Sequence, residues 1–148
     1  MPVNPRSEAR IEAFLGELAK RDVKASHRSR SIYRINDKRV SVRTTTKPGP
    51  QYWYDVSESI MNGVEYLVYQ TDSSRHFVLF PVSLFKQHYS NFKDSNRSNA
   101  KQFYIDLRQK KLVSGPLVSI NVHEYFCSLS ASETPGPWRH IFLNEEIS

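Results

Sequence analysis

The chain has 148 residues, enough for one hydrophobic core and too few for two ordinary domains. It carries a formal net charge of +6, no apolar run long enough for a membrane helix and no secretion-type leader, so a soluble, cytoplasmic protein with no membrane partner is expected. One cysteine, Cys127, excludes an internal disulfide, and its neighbours Tyr125, Phe126 and Leu129 mark it as a packing thiol rather than a nucleophile.

In chain order, Asn4 and Pro5 open a helix whose Ile11, Phe14, Leu15 and Leu18 recur at helical spacing, with Glu8, Arg10, Glu12 and Glu17 on the other side. Residues 28–35 read as a strand, Asn36-Asp37 as a turn and residues 38–43 as a second strand. A tight turn sets Arg34 opposite Arg39 and Arg30 opposite Arg43 on one face, with Tyr33 against Val40 on the other. The stretch Lys47-Pro48-Gly49-Pro50 breaks this hairpin, and residues 51–56 form an aromatic strand; Tyr52, Trp53 and Tyr54 offer rings on which unpaired bases can stack, with at least Trp53 expected instead to be core because alternate strand positions point inward.

Residues 57–63 predict one helical turn ended by Gly63, and residues 64–70 and 76–82 a central hairpin. Within it Phe77-Val78-Leu79-Phe80 is apolar on both faces, the mark of a strand covered on both sides. Ser83 caps a helix that buries Leu84, Phe85, His88, Tyr89 and Phe92. Residues 93–101 read as a loop and 102–107 as the last strand. The spacing Asn121-x-x-Glu124 predicts a capped C-terminal helix carrying Tyr125, Phe126 and Leu129. Residues 129–137 then form a flexible connection to an apolar segment, 138–143, that adds a strand, covers the core or meets a second subunit. The fold class expected is α+β in one domain, a mixed central sheet with the N-terminal helix and further helices packed on it.

Charge is concentrated. Residues 1–48 hold twelve Lys/Arg against five Asp/Glu, whereas the rest of the chain holds nine against ten. Arginines facing one another across a ribbon destabilise it unless buried carboxylates or a bound polyanion neutralise them. Lysines and arginines along a strand also protect its edge from stray pairing. On the anion-binding reading, Lys20, Lys24, Arg28, Arg30, Arg34, Lys38, Arg39, Arg43 and Lys47 would contact or attract DNA or other nucleic-acid phosphates. His27, His76, His88, His123 and His140 are scattered with no metal spacing, and neither a phosphate-binding glycine loop nor a nucleophile elbow is present.

The order of helix, hairpin ending Arg39-Val40-Ser41-Val42-Arg43, aromatic strand Tyr52-Trp53-Tyr54-Asp55-Val56 and central hairpin ending Phe80-Pro81 resembles the PD-(D/E)XK nuclease superfamily. The likeness covers roughly residues 5–92 and is nearest to its small homing and restriction-type members. It implies a restriction-endonuclease-like fold acting on DNA with Mg²⁺. Ser41-Val42-Arg43 stands where the family has an acid or glutamine and a lysine, so the catalytic motif is degenerate. Glu12 and Asp37 are then the metal-ligand candidates and Arg43 the transition-state partner. Serine is a poor ligand for a hard cation, and a permanently charged arginine cannot relay a proton. The expectation is therefore a DNA-binding protein with catalysis altered or lost. The alternatives are an active Mg²⁺-dependent endonuclease and an interaction module docking an acidic protein, with a homodimer possible in either case.

Overall fold

The computed structural model describes residues 5–45, 49–97 and 99–145. Its backbone is a three-layer α+β arrangement: two helices, a six-stranded sheet and a smaller sheet. Helix α1 (Pro5–Ala19) forms as its spacing predicts and buries Phe14 and Leu18 completely. The expected cap, Asn4, lies outside the described residues, as do Lys47 and Pro48 of the predicted break.

Three strands follow as an antiparallel ribbon: β1 (Ala25–Ser29), β2 (Ile32–Ile35) and β3 (Lys38–Arg43). The continuous strand expected over residues 28–35 is broken, because Arg30 turns back with φ +51° and folds β1 onto β2. From β3 the chain crosses to the other sheet as β4 (Gln51–Ser57), makes the short helix α2 (Glu58–Gly63) and returns as β5 (Tyr66–Gln70), parallel to β3. Ser57 caps α2 by accepting a hydrogen bond from the Ile60 amide at 3.3 Å. Strand β6 (His76–Pro81) completes the central hairpin with β5. Phe77 and Leu79 face α1, while Val78 and Phe80 face the second sheet, so both sides are covered as expected.

Helix α3 (Val82–His88) starts at Pro81 without a side-chain cap rather than at Ser83, and buries Phe85. The loop predicted over 93–101 contains β7 (Lys93–Asp94), which pairs with β8 (Ala100–Asp106). Strand β8 is not the last. Two four-residue strands, β9 (Lys111–Ser114) and β10 (Val118–Asn121), extend the second sheet through turns at Lys110 (φ +53°) and Gly115 (φ +60°).

The C-terminal helix expected from Asn121 is also absent. Asn121 caps locally instead, its Oδ1 accepting from the His123 amide at 3.0 Å. The next residues form β11 (Phe126–Ser128) on the edge of β6. Pairing there buries Cys127 and Leu129 against the helix layer, which overrides the local helix signal. Residues 129–137 are tied down rather than loose: the Leu129 amide donates to the Arg75 carbonyl at 2.8 Å, and the Ser128 amide to the Pro135 carbonyl at 3.0 Å. Helix α4 (Trp138–Leu143) then covers the core beside α1 with Trp138 and Phe142. Of the expectations for this segment, it covers the core and does not add a strand.

The strand order is β1-β2-β3-β5-β6-β11 in the larger sheet and β10-β9-β8-β4 in the smaller. Between them lies an aromatic core of Tyr54, Tyr69, Phe80, Phe85, Phe92 and Phe103, with Tyr69 and Phe85 stacked at 6.1 Å. The smaller sheet has no layer over its outer side among the described residues.

Candidate functional site

The ribbon turn is the two-residue Asn36-Asp37, and the register is the expected one: Arg34 lies opposite Arg39 and Tyr33 opposite Val40. Val40 and Val42 pack under α1, so Arg34, Arg39 and Arg43 belong to the opposite face of the sheet. Asn36, at φ +52°, holds the tip in place. Its amide donates to the Lys24 carbonyl at 2.7 Å, its Oδ1 accepts from the Lys24 amide at 2.9 Å, and its Nδ2 donates to the Phe142 carbonyl of α4 at 2.8 Å.

The nine cations expected to form the basic face divide into three groups. Lys24, Arg28, Arg30 and Arg34 have no carboxylate within 4.0 Å among the described residues. Arg28 sits in a bulge of β1, exposed on the outer edge of the sheet. Arg30 leaves the strand and reaches Ser59 of α2 at 3.3 Å, so the predicted Arg30–Arg43 pair does not form. Arg34 donates to the Asn36 carbonyl at 3.3 Å.

Four others meet the protein's own acids. Lys20 pairs with Glu17 at 3.1 Å, Lys38 with Asp37 at 3.8 Å, Arg39 with Glu65 at 4.0 Å and Arg43 with Asp55 at 3.6 Å. Lys47 lies outside the described residues. Carboxylates thus neutralise the inner half of the ribbon and leave its outer half charged.

The helix side of the ribbon is unsuited to an anion. Tyr33 lies there, and its hydroxyl is held above its ordinary value by burial first and then by the Glu8 and Glu12 carboxylates. Acid is therefore gathered on one side of the ribbon and uncompensated base on its edge and other side.

The residues proposed for metal catalysis do not assemble. Glu12 is exposed on α1, Arg43 belongs to the far face of the sheet, and Asp37 stands in the ribbon turn against Lys38. Ser41 is 2% exposed and its hydroxyl is hydrogen-bonded to that of Ser31 at 2.8 Å. A hard divalent cation needs several oxygen ligands, mostly carboxylates. Among the described residues no group of three or more His, Cys, Asp or Glu side chains could hold a metal ion. The side chains present do not fit Mg²⁺.

Sequence reasoning missed two features. Asp55, 17% exposed at its side chain, is a junction: Arg43 reaches its Oδ1 and Arg97 its Oδ2, at 3.6 and 3.4 Å. Beside it is a cleft of about 620 Å³ lined by Ser57, Glu58, Ser59, Tyr89, Arg97 and Lys101, among others. Its cations are already matched, Lys101 by Asp94 at 2.6 Å and Arg97 by Asp55. Trp53, expected in the core, points outward and is 53% exposed against Tyr104. Strict alternation would have placed it: Tyr52, Tyr54 and Val56 are inward, and polar Gln51 and Asp55 share Trp53's side of the strand.

Cys127 is buried and inert, its thiol pushed well above the ordinary value by burial. No helix among the described residues is long and apolar enough to cross a membrane. No protein-family model, curated protein or solved structure matches the chain.

Proposed function

We propose that the chain binds nucleic acid through the edge and far face of the β1–β3 ribbon, without cleaving it. The observation that carries this reading is the group Lys24, Arg28, Arg30 and Arg34, four cations on one pinned ribbon with no carboxylate within 4.0 Å among the described residues. Guanidinium groups suit phosphate oxygens geometrically as well as electrostatically. Cations on an edge strand also prevent it from pairing with another chain, and the two roles coexist without conflict.

Kinship with the PD-(D/E)XK superfamily is supported only by element order. A helix, a basic hairpin, an aromatic strand and a central hairpin follow one another in that order, although the aromatic strand β4 belongs to the smaller sheet and pairs with β8. The absence of an acid at Ser41 supports a binder rather than an active nuclease. Neither the acidic-protein partner nor the homodimer has a specific observation in its favour.

The test is a titration of labelled 20-mer DNA, single-stranded and duplex, across roughly 50–200 mM salt. The expected result is a linear fall of log affinity with log salt. Changing Arg28, Arg30 and Arg34 together to alanine should flatten that slope by about three and weaken binding at least about tenfold. An unchanged slope, or no binding by the intact protein at low salt, would sink the reading.

A further inference from the structure

Among the described residues no layer packs over the outer side of the smaller sheet, and that side is not uniformly polar. Trp53 on β4 and Tyr104 on β8 are directly paired across the strands, with ring centroids 4.7 Å apart and planes tilted by 46°. Among the described residues Trp53 is one of two large hydrophobic side chains left exposed; the other, Leu117, sits in the turn before β10. The inward residues Tyr52, Tyr54 and Val56 supply the core contacts of β4, so the indole adds to the fold only its cross-strand contact with Tyr104.

The surroundings of the rings are amides, two acids and cations. Pairing register puts Gln51, Asp55, Gln102 and Asp106 on the rings' side of the sheet, together with Lys93 and Lys111. Both acids are engaged. Asp55 holds Arg43 and Arg97, and Asp106 accepts from the Arg108 and Gln109 amides at 2.9 Å each. Lys93 and Lys111 have no carboxylate within 4.0 Å among the described residues.

The face is also continuous with the basic ribbon. Arg30 bonds Ser59 at the rim of the cleft, Arg97 lines that cleft and grips Asp55, and Asp55 stands two residues from Trp53 on the same side of β4. An exposed indole and a half-exposed phenol beside the unmatched cations Lys93, Lys111 and Arg30 suit unpaired bases, because every base offers a flat face to stack while its phosphates follow the positive charge. A duplex keeps its bases stacked inside and cannot use such rings.

We infer that Trp53 and Tyr104 form a stacking platform for an unpaired nucleotide, making a single-stranded nucleic acid the preferred ligand. This rests on the ribbon's reading as the phosphate-binding element and adds the chemical class of what it binds.

The experiment uses the full chain with 20-mers of dT and of rU and a DNA duplex as probes, reading anisotropy and tryptophan emission. Subtracting the emission of Trp53→Phe isolates Trp53 from the buried Trp138. Single strands are expected to bind more tightly than duplex and to quench Trp53. Trp53→Ala should weaken them roughly 5- to 100-fold, Trp53→Phe should restore most of the affinity, and neither should alter the salt slope.

Three results would overturn the platform. One is equal affinity of duplex and single strand with Trp53→Ala unaffected, in which case the ribbon reading survives alone. The second is a dimer in sedimentation that Trp53→Ala dissolves, which would assign the face to a second copy. If no probe binds at low salt, platform and ribbon reading fail together.

Discussion

Two hairpins of the same sheet, β2–β3 and β5–β6, are built from strands of similar length and meet opposite fates. In β6 every residue from Phe77 to Phe80 is buried, because the helices cover one side and the smaller sheet the other. In the ribbon the helix side is apolar, while the other side packs Ile32 on the inter-sheet core and carries Arg34 directly opposite Arg39 in the open. The inner hairpin is placed by packing. The outer one keeps its charges because α4 and Asn36 hold it in place without burying them. Stability and candidate function are thereby separated within a single ladder of strands.

The comparison breaks most visibly in the core. Phe85→Ala removes a fully buried ring that contacts Tyr69, Phe80, Phe92 and Phe103, and should cost about 3–5 kcal/mol in denaturant unfolding. The next effect belongs to Gly136, which has φ +77° and whose added Cβ would run into the Phe126 carbonyl oxygen. Gly136→Ala should cost roughly 1–3 kcal/mol through backbone strain, more if β11 is pushed off the sheet edge, and its melting temperature reads the loss.

Smaller again is Glu17, whose carboxylate receives Lys20 at 3.1 Å, Arg75 at 3.0 Å and Arg21 at 3.5 Å. Hydrogen bonds from Lys20 and then Arg75 hold its pKa below the ordinary 4.5. Its contribution is therefore fully present above about pH 4.5 and disappears as pH falls through the lowered folded value. Glu17→Gln should destabilise by about 1 kcal/mol at pH 7, and the gap from the unmutated protein should close under acid.

The smallest change sharpens the comparison rather than breaking it. Since Arg34 and Arg39 face each other, Arg34→Ala should leave stability unchanged or raise it by up to about 1 kcal/mol while flattening the salt dependence of DNA binding by about one. A loss of stability comparable to that of a core variant would show that Arg34 is structural.

Much of the fold was legible where local and tertiary preferences agree. The Asn36-Asp37 turn set the register of β2 on β3, and the run Phe77–Phe80 announced a strand covered on both sides. What was not legible came from tertiary competition. Arg30 carries no glycine or asparagine signal, yet the chain turns there because β1 gains a partner in β2. The capping pattern at Asn121 was real but served only one turn, since the free edge of β6 offered a better use for Phe126 and Cys127. The basic face was readable as charge, while its division into matched and unmatched cations was not. Glu65 and Asp55 approach from elements far along the chain, and nothing in the hairpin sequence names them.

The three hydrogen bonds of Asn36 have a consequence for recognition. They tie the ribbon's tip to Lys24, just before β1, and to the carboxyl-terminal helix, so the backbone positions from which its arginines project are set before any ligand arrives. On the proposed reading, association would require little further ordering of the backbone, and the ribbon would act as a stamp rather than a glove.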